Sequence, residues 1–90
     1  MAPPEATRDV VIDLLREHVG PEREVAEVSD LVADLDLDSV LIVEILGAIE
    51  ERLGIRIADA ALVEVATVRD LIRAVEAARS DQVAPARKAE

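Results

Sequence analysis

The densest group of chemistry-bearing side chains in the sequence is Asp34, Asp36, Asp38 and Ser39, in the stretch Asp34-Leu35-Asp36-Leu37-Asp38-Ser39-Val40. Carboxylates at alternate positions imitate the opening of a calcium loop, which takes oxygen ligands from its first, third and fifth positions. The rest of that pattern fails. The sixth position needs Gly and is Ser39; the twelfth needs a bidentate Glu and is Ile45. Ser39 as a hydrolytic nucleophile would need a base and an orienting acid. The one histidine, His18, stands at the edge of an apolar stripe on an earlier segment, and Gly-x-Ser-x-Gly is absent. No phosphate-cradling or dinucleotide glycine pattern occurs. Without cysteine there is neither a thiolate nucleophile nor a Cys-based metal site. No catalytic machinery and no metal site are therefore expected in the chain itself. Asp and Ser at a helix start are ordinary capping residues, and on the dipeptide Asp38-Ser39 alone capping is the better reading.

The elements that must position this stretch follow from periodicity. Ninety residues make one small domain, and with no Phe, Tyr or Trp its core must be aliphatic. Val10, Val11, Leu14, Leu15 and His18 recur at helical spacing after Thr7, which can cap the helix, and Gly20-Pro21 stops it. Residues 21–38 show no sustained period; a loop this long in so small a domain needs apolar anchors, and Val25, Val28, Leu31, Val32 and Leu35 can supply them. From Ser39 to Leu53, Ile42, Ile45, Leu46, Ile49 and Leu53 fall on one arc. Val40, Leu41, Glu44, Gly47, Ala48 and Glu51 fall opposite, so Val40 and Leu41 are expected to be apolar and exposed. Residues 59–63 suit one or two helical turns. Thr67-Val68-Arg69-Asp70 opens a last helix as a variant capping box, with Val68, Leu71, Ile72, Val75 and Ala78 as its buried stripe. The expected fold is all-α: a small four-helix bundle, three main helices and one short one, with a long first loop. Residues 1–6 read as a flexible lead-in, 7–79 as the folded domain and 80–90 as a disordered tail.

Net charge is -10, from 20 acids against 10 bases. Nucleic acid is not an expected partner, because phosphate contact needs clustered Lys and Arg. No stretch is apolar enough to span a membrane and no secretory signal is visible, so a cytoplasmic monomer is expected. Excess acid most often serves solubility alone; concentrated locally, it steers basic partners. Between Asp30 and Glu51 the sequence holds seven acids and no base.

A long loop after one helix, an Asp-Leu-x-x-Asp-Ser-Val segment closing that loop, a following helix with Glu44, Glu50 and Glu51, and the Thr67-Val68-x-Asp70-Leu71 opening of the last helix together resemble the acyl carrier protein family over residues 7–79. The resemblance implies that Ser39 takes 4'-phosphopantetheine from coenzyme A through a phosphodiester. It implies that Asp38 helps the phosphopantetheinyl transferase engage the chain. The thiol of that arm would hold acyl groups as thioesters, which supplies from outside the sulfur that the chain lacks. The second helix would be the docking element for an acyltransferase, acyl ligase or ketosynthase with a basic surface, through Asp36, Val40, Leu41, Glu44, Gly47 and Glu51. For Glu50 an ordinary solvated face is at least as good a reading.

Three departures from the family pattern bear on partners. Asp36 stands where Gly is common, Leu41 where fatty-acid carriers often have an acid, and Gly47 where a bulky apolar residue is usual. They imply a dedicated partner set, as in polyketide or related specialised-metabolite biosynthesis, more than the general fatty-acid machinery. Gly-Gly-x-Ser, usual in peptidyl carriers, is absent. Three alternatives remain open at this point: a fatty-acid synthase carrier, an aminoacyl carrier, and an unmodified helical adaptor in which Ser39 is only a cap.

Overall fold

A computed structural model describes residues 6–20 and 22–88. Residues 1–5, most of the expected lead-in, lie outside them, as do Pro21 of the first helix stop and residues 89 and 90. Three helices form: α1 (Thr7–Val19), α2 (Ser39–Leu53) and α3 (Val68–Lys88), with a single 3-10 turn at Asp59–Leu62. Among the described residues there is no strand. One isolated antiparallel bridge joins Asp30 to Thr67. No helix is long and apolar enough to cross a membrane among these residues.

α1 is the central element, packed against both α2 and α3. Its Val11 and Leu15 are fully enclosed, with Val10 and Leu14 beside them. α2 contributes Ile45, Leu46 and Ile49, and α3 contributes Val68, Leu71, Ile72 and Val75. Each such side chain removed from water stabilises the fold by about 1.5–3 kcal/mol. The ends of α2 are set locally. Asp38 is the N-cap, in extended conformation. At the far end Gly54 turns left-handed, at φ 66°, and its N–H donates to the Glu50 carbonyl. A β-carbon disfavours that conformation, which is why Gly ends the helix there.

The expected cap of α1 is corrected. Ala6 occupies the N-cap and makes no side-chain bond, while Thr7 is already helical and buried. The Thr7 hydroxyl accepts instead from Arg79 Nη1 at 2.8 Å, tying α1 to α3. The loop anchors are also partly corrected: Val25, Leu31 and Leu35 are buried as expected, but Val28 and Val32 are exposed and Leu37 takes the remaining place in the core. Helical backbone continues to Lys88, past residue 80 where the tail was expected to begin. The packed stripe ends earlier, at the half-buried Ala78.

Candidate attachment site at the start of the second helix

The loop before α2 is held by its own acids and by α3. Asp30 Oδ1 accepts from the N–H groups of Val32 and Ala33 at 2.9 and 2.8 Å. Asp34 Oδ2 accepts from the Asp30 N–H at 2.7 Å. Leu31 N–H donates to the Ala66 carbonyl, and Val68 and Arg69 N–H donate back to the carbonyls of Ser29 and Glu27. Leu35 and Leu37 plunge into the core on either side of Asp36. Asp36 itself lies in the left-handed region at φ 58°, a conformation that Asp and Asn tolerate better than other residues with a β-carbon.

The alternate acids that imitate a calcium loop are thus used within the loop: Asp34 supports a turn, Asp36 faces Arg23 and Asp38 caps a helix. Among the described residues no cluster of three or more His, Cys, Asp or Glu could hold a metal ion. His18 is engaged with its own helix, Nδ1 donating to the Leu14 carbonyl at 2.9 Å.

Asp38 Oδ1 accepts from the Leu41 N–H at 2.9 Å, and its carbonyl accepts from the Ile42 N–H. The cap is therefore Asp38, and Ser39 is the first residue of the helix. This removes the observation on which a merely capping Ser39 would rest. The other hydroxyls show what commitment looks like. Thr7 is buried against Arg79. Ser29 is buried and accepts from the Ala26 N–H. Thr67 accepts from the Asp70 N–H at 3.2 Å. Ser80 is exposed, well inside α3. Ser39 is exposed, at a helix N-terminus, with no hydrogen-bond partner for its hydroxyl among the described residues. The N–H groups of Ser39 and Val40 likewise have no acceptor there, and the first turn of α2 carries no acid.

That geometry is what a covalently attached phosphodiester requires: an accessible oxygen, unpaired N–H donors and the positive end of a helix dipole. Comparison with known proteins shows the family. The family model described as "Phosphopantetheine attachment site" matches residues 8–75. The chain belongs to the acyl carrier protein family. It is 42% identical over 69 residues to the acyl carrier protein of Wolinella succinogenes, covering 77% of this chain and 87% of that one. The acyl carrier proteins of Thermobifida fusca and Sinorhizobium fredii are each 35% identical, over 76% and 84% of this chain and 87% and 94% of their own. The coverage takes in the domain almost whole, so the likeness is to the complete carrier fold. Members of the family are non-catalytic carriers with a 4'-phosphopantetheine group, served by a phosphopantetheinyl transferase and by acyl-processing enzymes.

The residues expected to face partners divide. Val40, Glu44, Gly47 and Glu51 are exposed along one side of α2, and Asp36 is exposed just before it. Leu41 is not exposed as expected: it is half-buried and packs against the core. Val43 takes the apolar role, being 64% exposed beside Val40 at 65%. Spacings of three and four residues put Val40, Val43, Glu44, Gly47 and Glu51 on one face, a signal present in the sequence. Glu50 is half-buried and engaged: Oε2 accepts from the Ile57 N–H at 2.7 Å and fastens the chain that leaves α2.

Proposed function

We propose that Ser39 receives the 4'-phosphopantetheine arm and that the chain carries acyl intermediates on it as thioesters. The observation that supports this reading most is the exposed, unpartnered Ser39 hydroxyl on a helix already capped by Asp38. When bound, the arm supplies the thiol that forms those thioesters. The chain's own residues do the holding. Asp38 keeps the first turn of α2 formed, the N–H groups of Ser39 and Val40 offer donors to the phosphodiester, and Leu35 and Leu37 fix the approach of the loop. Asp38 also serves as the acid that the phosphopantetheinyl transferase engages. Incubation with such a transferase and coenzyme A, read by intact mass, tests this: wild type gains one phosphopantetheine and Ser39→Ala none. An unmodified wild type, or a modified Ser39→Ala, overturns it.

The partner surface we assign to Asp36 and to the face of Val40, Val43, Glu44, Gly47 and Glu51, with Leu41 supporting it from below. Its acids attract a basic docking surface, and the paired valines add a small apolar spot between them. No side chain rises at Gly47, so a partner can lie close to the helix. Leu41 in place of an acid, and Gly47 in place of a bulky residue, support a polyketide or related specialised-metabolite pathway in the cytoplasm, with the carrier acting as a monomer. Loading rates of the modified chain with acyltransferases of polyketide and fatty-acid type decide between the pathways. At least tenfold higher kcat/KM with the former is expected; equal or reversed values contradict it.

A further inference from the structure

The sequence from Asp30 to Glu51 holds no base, yet folding brings one to it. Arg23, from the first part of the long loop, donates from Nη1 to the Asp34 carbonyl at 2.9 Å, and its Nη2 lies 4.0 Å from Asp36 Oδ2. The guanidinium is therefore hydrogen-bonded to the segment at Asp34 and lies close to the exposed Asp36 carboxylate, on either side of the buried Leu35. Asp36 is left-handed, and between it and Ser39 lie only the anchor Leu37 and the cap Asp38. Arg23 is itself held near the core by the buried Val25 two residues on. A planar fork suits this bridging of a carbonyl and a carboxylate; a single ammonium does not.

We infer that Arg23 is a positioning residue for modification at Ser39: by bracing the Asp34 carbonyl and the Asp36 carboxylate it holds the turn that presents Asp38 and Ser39 to the transferase. The inference rests on Ser39 as the attachment residue. It opposes the simpler role of a surface base, and the two differ in sign. As a mere charge beside an acidic docking surface, Arg23 would weaken attraction to a basic partner, so its removal would lower KM. As a brace, its removal leaves a strained turn at Asp36 free to relax, and KM rises.

The experiment is steady-state modification of wild type, Arg23→Ala and Arg23→Lys by a phosphopantetheinyl transferase with coenzyme A, followed by intact mass, with thermal melts of each variant. Arg23→Ala is expected to raise KM for the carrier about three- to tenfold, as loss of an exposed charge-assisted bond allows, with kcat nearly unchanged. Arg23→Lys, which keeps the charge and loses the fork, recovers less than half of that. Gly adopts a positive φ without strain, so in an Asp36→Gly background the Arg23→Ala step shrinks below twofold. An unchanged or lowered KM in Arg23→Ala, full recovery by Arg23→Lys, or the same step in both backgrounds overturns the positioning role while leaving Ser39 modified. An unmodified wild type overturns the Ser39 reading instead. Should Arg23→Ala melt markedly lower, Arg23→Lys and the Asp36→Gly pair still decide.

Discussion

The N-termini of α2 and α3 are finished differently. At α3 every early donor is used within the protein. Val68 and Arg69 N–H donate to the carbonyls of Ser29 and Glu27, and Asp70 N–H donates to Thr67 Oγ1. Asp70 Oδ2 accepts in return from the N–H groups of Ala66 and Thr67, both at 3.1 Å. These bonds hold the Asp70 carboxyl below its ordinary range, the one from Ala66 most of all. At α2 only the Asp38 cap is in place. The first turn has no acid of its own, and the donors of Ser39 and Val40 stay open. The closed end fastens the long loop to α3. The open end is the one that an added anion would complete. Both ends have a side-chain cap; what separates these two is which backbone donors are left unused.

Substitutions can break this contrast, and the largest effect belongs to Ser39. Ser39→Ala should abolish modification while leaving the melt close to wild type, since the exposed hydroxyl has no hydrogen-bond partner among the described residues. Asp38→Ala should remove the cap, lowering stability by about 0.5–2 kcal/mol, and should cut modification kcat/KM at least tenfold because the cap and the proposed transferase contact share this residue. Thr67→Ala should cost a comparable ~0.5–2 kcal/mol in a denaturant titration and leave modification within twofold, which separates the structural end from the functional one. If Thr67→Ala impaired modification as much as Asp38→Ala, the two termini would not be distinct.

The smallest effect is one of pH. Asp70 is held low by its backbone donors, and Glu27 by its hydrogen bond from Arg8, with Arg69 adding to it at 3.6 Å. A carboxylate with a lowered folded-state pKa adds stability that is fully present above its unfolded value. That stability is lost as pH falls through the folded-state value. The ordinary values here are 3.8 and 4.5, so Tm should hold down to about pH 5 and decline below it. Asp70→Asn should flatten part of that decline. An unchanged acid slope in Asp70→Asn would contradict the closed-terminus reading.

Much of this was legible in the sequence where the signal is local. The stripes of α2 and α3 follow from 3.6-residue spacing, and Thr67 with Asp70 is a capping pattern within four residues. Asp38-Ser39 at the head of an apolar run is equally local. What was hidden depends on groups distant in the chain. Thr7 reads as a cap until Arg79, 72 residues away, claims its hydroxyl. Val28 and Val32 look like anchors, yet both are exposed, Val32 within the turn that Asp30 builds, and Leu37 is buried instead. A helical wheel puts Leu41 opposite the buried arc, yet the packed domain half-buries it against the core. The base at the acid-rich segment comes from Arg23, outside the run that seemed to hold none. Val43 was within reach of the same spacing rule that found Val40 and Glu44.

The most direct measurement is peptide-level mass spectrometry of the transferase-treated chain, because it sets all five hydroxyls, Thr7, Ser29, Ser39, Thr67 and Ser80, against one another. The expected result is a single phosphopantetheine on the peptide containing Ser39 and none elsewhere. Modification at Thr67 or Ser80, or none at any of the five, would contradict the assignment of the open end of α2 as the attachment site.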